Sequence, residues 1–285
     1  MESFTHILVH TIEHTLEDTL SMLPFLFIAF LVLESLEHYS GNLVGRTLTK
    51  AAKAGPAIGA LLGCIPQCGF SVIASNLYSG GIITLGTLLA VFLSTSDEAV
   101  LILLAHPENT GTILPLLATK VVIAIIAGYL ANLFFGNRIG SEKHIETLCE
   151  DSGCGCHEHH GILRPALAHT IQLFVYIFVF TAVLNLIIES FGLETVATFL
   201  LEGSIFQPFL AALIGFIPNC AASVILTELY LSGTLSFASI IAGLCTNAGV
   251  GLIVLFRVNK NTSENLKIAG LLYLIAVVAG IILSF

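Results

Sequence analysis

Apolar residues run through this chain in blocks of about twenty, the length that crosses a bilayer as a helix. The blocks 113–135, 166–188, 234–256 and 266–285 read as ordinary spanning helices, and 82–105 as one with a polar interruption. A shorter block, Leu20–Leu36, ends beside the acids Glu34 and Glu37. Two further apolar stretches, about 54–80 and 206–233, are broken by Gly, Pro and polar residues, and their centres read GCIPQCGFS and GFIPNCAAS. The pattern predicts an all-α polytopic membrane protein.

The two broken stretches belong to an internal repeat. A shift of 152 positions carries Pro56 to Pro208, Gly63 to Gly215, Pro66 to Pro218 and Cys68 to Cys220. It also carries Ser71 to Ser223, Leu77-Tyr78 to Leu229-Tyr230, and Gly81 to Gly233. Apolar composition alone repeats leucine and alanine; it does not repeat Pro, Cys, Tyr and Gly in register.

Positive charge sets the expected topology. Lys120 lies inside a span, and the other nine of the 10 Lys and Arg fall in 46–53, 138–164 and 257–267. All three segments become cytoplasmic, as the positive-inside rule asks, if each broken stretch enters and leaves the membrane on one side. Each half then has about three spanning helices plus a re-entrant or broken-helix hairpin. An odd number of spans per half gives two inverted-topology repeats, the arrangement of many secondary transporters. The expected division is 1–137 for the first repeat with its outward N-terminal helix, 138–163 for a cytoplasmic loop, and 164–285 for the second repeat. Both termini are expected outside the cytoplasm.

Composition agrees. Of 285 residues 56% are hydrophobic and 10% charged, with mean hydropathy +0.96, whereas soluble domains carry about 25% charged residues. A net charge of −9 speaks against a nucleic-acid partner, which needs a basic face. The first 45 residues carry no Lys or Arg, so no secretory leader is expected. No GxxxxGK[ST] loop is present to bind a nucleotide. The seven cysteines divide between apolar stretches (Cys64, Cys68, Cys220, Cys245) and one polar loop (Cys149, Cys154, Cys156), which suggests no disulfide framework.

Ionisable groups inside a span cost several kcal/mol and usually serve a function. The run Ser94-Thr95-Ser96-Asp97-Glu98 lies in the 82–105 block. Asp97 and Lys120 flank the 106–112 turn at similar depth, which predicts an ion pair and leaves Glu98 uncompensated. Glu228 follows the second hairpin centre. Cys68 and Cys220 occupy equivalent places, flanked by the amides Gln67 and Asn219. With Ser94, Thr95 and Asn247, these residues are the candidate substrate pathway, and a mixed thiol, carboxylate and amide set suits a soft or borderline cation.

Two segments outside the spans add auxiliary candidates. Cys149, Cys154, Cys156, His157, His159 and His160 crowd into twelve residues of the loop, a tract able to capture Zn²⁺ or Cu⁺. His6, His10 and His14 recur at four-residue spacing and share a face on a helix. His10-Thr-Ile-Glu13-His14 also fits the H-x-x-E-H zinc-peptidase pattern, five common letters and a weak signal.

The quoted segments resemble a known family, the ten-span heavy-metal exporters, whose members carry arsenic-efflux or manganese-transporter names. The resemblance rests on LPFLF at 23–27, GALLGCIPQCGFSVIASNLYSGGIITLGTLLAVFLSTSDEA at 59–99, and IGFIPNCAASVILTELYLSGTLS with LCTNAGVGLIVLFRVNKN further on. It implies export of a heavy-metal species from the cytosol across the cell membrane, with no catalytic role. Six spans and four hairpin arms also total ten. The expected function is therefore a secondary active, proton-coupled exporter of a heavy or transition metal. Its thiols and imidazoles favour Zn²⁺, Cu⁺ or another thiophilic species over Mn²⁺, which prefers oxygen ligands. The metal is the substrate, no resident cofactor is required, the bilayer is the partner, and a homodimer is compatible. The alternatives are an exporter or permease for an anion or small organic solute and, further off, a membrane metallopeptidase.

Overall fold

The computed structural model describes residues 54–66, 69–105, 111–135, 206–218 and 220–285, with single helical positions between 20 and 31 and between 163 and 183. The described elements are helices: α1 (Gly55–Gly63), α2 (Gly69–Ser79), α3 (Leu85–Ser94), α4 (Asp97–Ala105), α5 (Ile113–Phe135), α6 (Gln207–Gly215), α7 (Cys220–Leu231), α8 (Phe237–Thr246), α9 (Val250–Val258) and α10 (Thr262–Leu283). Among the described residues, four stretches are long and apolar enough to cross a membrane: Leu85–Leu104, Ile113–Phe135, Phe237–Val258 and Thr262–Leu283. This is a polytopic, all-helical membrane protein. The expected spans 20–36 and 166–188 lie largely outside the described residues.

Local sequence explains where the helices begin. Pro56 and Pro208 stand in the first turns of α1 and α6, where a missing N–H costs nothing and the fixed φ suits a helix. The Thr84 and Ser236 hydroxyls accept the N–H groups of Thr87 and Ser239, capping α3 and α8 at equivalent positions. Asn261 does the same for α10 through Glu264 N.

The first hairpin is defined by its register on α3. Gly55 and Gly59 lie against Thr87, and a Cβ at Gly63 would fall 2.6 Å from the Val91 carbonyl, beside Ser94. So α1 and α3 run in the same direction from the same level, and α2 must return to that level before α3 starts. Its arms splay around an apolar cavity of about 200 Å³ lined by Ile58, Leu62, Phe70, Ile73 and Leu77. The second hairpin repeats this geometry. Gly215 lies against Gly243 and Thr246, and the Gln207 Oε1 accepts from Ser236 N at 3.1 Å and Ser239 Oγ at 2.9 Å.

Contacts recur across the 152-residue shift. A Cβ at Gly128 would lie 2.8 Å from Pro56 Cβ, and one at Gly280 would lie 2.8 Å from Pro208 Cβ, so α5 and α10 approach their hairpins equally closely. The returning arms cross over. α2 packs on α9, and its counterpart α7 packs on α4. Ser75 Oγ donates to Gly251 O at 2.7 Å and Ser79 Oγ to Val258 O at 3.0 Å. The hydroxyl of Tyr78, next along α2, donates to Glu264 of α10 at 2.5 Å.

Burial separates inner from outer helices. The apolar windows of Leu85–Leu104 and Phe237–Val258 are 81% and 89% buried, against 28% for α5 and α10. Leu114, Leu133 and Phe134 on α5, and Leu266 and Ile282 on α10, project outward. Without a membrane these faces would be unsatisfied; with one they meet lipid.

One expectation needs correcting. The block 234–256 reads as an uninterrupted span, yet α8 stops at Thr246 and α9 starts at Val250. Gly249 takes φ 54, ψ −146, a conformation open almost only to glycine, and the helix cannot pass through it. The polar interruption of 82–105 is likewise a true break, at Thr95 and Ser96.

Candidate functional site

Two helix breaks, one in each half, lie in the buried core. At the first, Thr95 leaves helical dihedrals with φ −52, ψ 126, and the three hydroxyls turn back onto their own chain. Ser94 Oγ donates to Ala90 O at 2.8 Å, Thr95 Oγ1 to Val91 O at 2.8 Å, and Ser96 Oγ to Ser94 O at 3.0 Å. Ser94, Thr95 and Ser96 are all buried. Their protons are committed to backbone, so toward a ligand these hydroxyls offer acceptor lone pairs.

At the second break, Thr246 Oγ1 donates to Ala212 O at 2.7 Å on α6 and lies 2.9 Å from Gly243 O. Asn247 Oδ1 accepts the N–H of Gly249 at 3.0 Å. In repeat register, Thr246-Asn247-Ala248-Gly249 stands where Ser94-Thr95-Ser96-Asp97 stands in the first half.

Lys120 joins the two breaks. It is wholly buried on α5, and its ammonium donates to the Thr95 carbonyl and, at 2.9 Å, to the Leu244 carbonyl. These acceptors sit at the C-terminal ends of α3 and α8, where unpaired carbonyls carry the negative end of the helix dipole. A cation between two such ends is well placed electrostatically. The counterpart of Lys120 in the second half is Leu272, also buried, so the clamp is made from one side only.

The first hairpin tip reaches both breaks. Gly63, before the tip, touches Ser94 of the first break. Ser71, after it, touches Gly251 just beyond the second, where an added Cβ would lie 2.6 Å from Ser71 Cβ. The hairpin that carries Cys64 and Pro66 therefore stands between the two interrupted helices.

A family model described as "Putative, 10TM heavy-metal exporter" matches residues 7–205, more than two thirds of the chain. The chain belongs to that family. No curated protein and no solved structure matches. For this heavy-metal exporter family member, the matched region includes the first hairpin, the first break and Lys120, while α6 to α10 follow it in the chain. The family description is of a transporter rather than an enzyme class, and it supports metal transport in general.

The predicted site residues divide into four groups. Ser94, Thr95, Lys120 and Asn247 are buried at the breaks. Glu228 is exposed on α7, about 12 Å along the helix from Cys220. Gln67, Cys68, Asn219, the loop residues Cys149, Cys154, Cys156, His157, His159 and His160, and the N-terminal His6, His10 and His14 lie outside the described residues. For Asp97, Glu98 and Cys220 the description covers the backbone alone: Asp97 and Glu98 open α4, and Cys220 opens α7. The Asp97–Lys120 pairing thus lies outside the described contacts, although Thr95, the Lys120 partner, is two residues from Asp97. Among the described residues, no group of three His, Cys, Asp or Glu is gathered that could hold a metal ion.

Sequence reasoning missed the Leu244 carbonyl and Gly249. The first has no side-chain signal. The second had one, since Gly249 aligns with the Asp97 that opens α4.

Proposed function

We propose that the chain is a secondary active transporter that exports a heavy or transition metal species from the cytosol across the cell membrane in exchange for protons. The observation that carries this reading is the pair of helix breaks, buried and bridged by Lys120. Broken helices in corresponding places of two repeats, meeting in the core, form the substrate sites of many secondary transporters. Backbone freed from helical pairing is tolerated there only where it is buried in protein or lines a cavity.

Inverted repeats, 1–137 and 164–285, are part of this reading, and the same contacts support them. α2 returns against α3 and runs alongside α9, with Ser71 at Gly251 and Ser79 at Val258. The broken helix α8–α9 therefore opposes α3–α4 in direction, as an inverted pair should. With the charged segments placed inside, both termini face outward.

In this reading Asp97 and Glu98 carry the charge and the coupling proton at the first break, and Glu228 serves the approach. Cys68 and Cys220, beside Gln67 and Asn219, give the thiol ligands that favour Zn²⁺, Cu⁺ or another thiophilic species over Mn²⁺. The 138–163 tract collects metal on the cytosolic side. A second reading, an exporter or permease for an anion or small organic solute, is favoured by the buried Lys120 ammonium and by the half-helices that begin at both breaks.

The test is metal uptake into inverted membrane vesicles across a panel of metals, with and without a pH gradient. Gradient-dependent uptake of a soft metal is expected, reduced in Cys68→Ser and Cys220→Ser. The double variant Asp97→Asn with Lys120→Met should fold yet transport nothing. Full activity in that double variant would reduce Asp97 and Lys120 to a pair that only neutralises itself. Unchanged transport in both cysteine variants would remove thiolate ligation.

A further inference from the structure

The two breaks are built alike but finished differently. In the first half the residues that open α4 are Asp97 and Glu98, and a carboxylate at a helix N-terminus complements its unpaired N–H groups and positive dipole end. In the second half the corresponding residues are Gly249 and Val250, which bring no charge. The N-cap of α9 is Gly249, with no side-chain hydrogen bond. Val250 is 3% exposed and Asn247 4%, so water does not supply the missing acceptor freely.

The Asn247 carboxamide adds a second, independent sign. Its oxygen accepts the Gly249 N–H, which fixes which end of the amide is which, since only the oxygen can accept. The group is thereby anchored at the head of α9, and among the described residues its NH₂ has no acceptor. A buried amide donor without an acceptor is rare and costly. A cation lies close by: Lys120 donates to the Leu244 carbonyl, three residues upstream.

We propose that the head of α9 is a binding site for a compact oxyanion group, held by the Asn247 Nδ2 and the Val250 N–H. This inference rests on the transporter reading and deepens it: the exported metal species is carried as an oxyanion, or bound to a carboxylate-bearing ligand, and this group caps α9. A bare cation is the wrong charge for this end of the site. In repeat terms, the bound oxygen provides in the second half what the acids opening α4 provide in the first.

The experiment measures equilibrium binding to the full chain in lipid nanodiscs. Arsenate, chromate and molybdate are the metal oxyanion probes, acetate and citrate the carboxylate probes, and Zn²⁺ the bare-cation probe. Wild type should bind at least one oxyanion or carboxylate, and the class that binds more tightly identifies the source of the group. Asn247→Asp replaces the donor by an acceptor of the same shape. Val250→Pro deletes one N–H at a position where proline suits a helix. Each should weaken anion binding roughly tenfold to a hundredfold, the worth of one hydrogen bond to a charged group. Equal anion binding by wild type and folded variants would overturn the proposal, as would wild-type binding of Zn²⁺ with no competition from any anion probe. Anion binding lost in Asn247→Asp without any vesicle flux would sink the transporter reading alone. Cation flux indifferent to Asn247→Asp, with no anion binding, would sink this inference alone.

Discussion

Replacing Lys120 by Met tests the clamp between the two breaks. The side chains are similar in length and volume, so the change removes the ammonium without opening a cavity. It leaves the Thr95 and Leu244 carbonyls, one in each half, without this donor. An unsatisfied buried acceptor costs about 1–3 kcal/mol, so two give about 2–6 kcal/mol. Against this stands relief from burying an ammonium that is 0% exposed, a penalty its two carbonyl partners already offset in large part. The net expected loss is therefore in the lower half of that range, about 2–3 kcal/mol. Leu272→Met supplies the control at the equivalent place on α10, where a volume-conserving apolar swap costs less than about 1.5 kcal/mol. Reversible unfolding of the purified protein in mixed detergent measures both. Equal stability of Lys120→Met and wild type would refute the clamp, because two orphaned carbonyls cannot be free of cost in a dry core. A larger loss in Leu272→Met than in Lys120→Met would refute it too.

Three further outcomes follow from the same geometry. A cysteine introduced near residue 3 should react with a membrane-impermeant reagent from outside, and one near residue 142 should not; the reverse pattern would undo the inverted-repeat reading. Replacing Cys149, Cys154 and Cys156 by Ser, and His157, His159 and His160 by Ala, should weaken capture at low metal while leaving saturating flux in vesicles largely intact. Gly128→Ala should destabilise more than Gly280→Ala in the unfolding assay: the new Cβ meets the Gly86 backbone oxygen at 2.7 Å in the first, whereas the backbone oxygen near the second lies at 3.3 Å.

Much of this architecture is legible in the residues, because its signals are local or periodic. Pro56 and Pro208, the caps Thr84 and Ser236, and the Pro66 and Pro218 turns recur in register, and the hairpins follow from them. The second break is harder to see. Asn247-Ala248-Gly249 sits in an apolar run whose mean hydropathy hides it, and only alignment with Thr95-Ser96-Asp97 exposes it. Lys120 shows the limit from another side. Depth matching points it at the Asp97 carboxylate, whose side chain lies outside the described residues; its two described acceptors are main-chain carbonyls, which every residue possesses and no pattern advertises. The hydroxyls of Ser94 and Thr95 were legible as polar groups in a span, but their donation to the preceding turn depends on a backbone already folded.

The crossing of α2 onto α9 sets a timetable for making the protein. Ser75 finds its partner carbonyl 176 residues further along the chain. At about 5–20 residues per second, a ribosome needs roughly 9–35 s to reach it. During that interval the first hairpin is already synthesised while the surface it finally covers does not yet exist. Its hydroxyls at Ser71, Ser75 and Ser79 have to be sheltered by the insertion machinery or by water in the meantime. Slow translation across 206–249 would prolong this exposed state, and degradation of nascent chains should concentrate there.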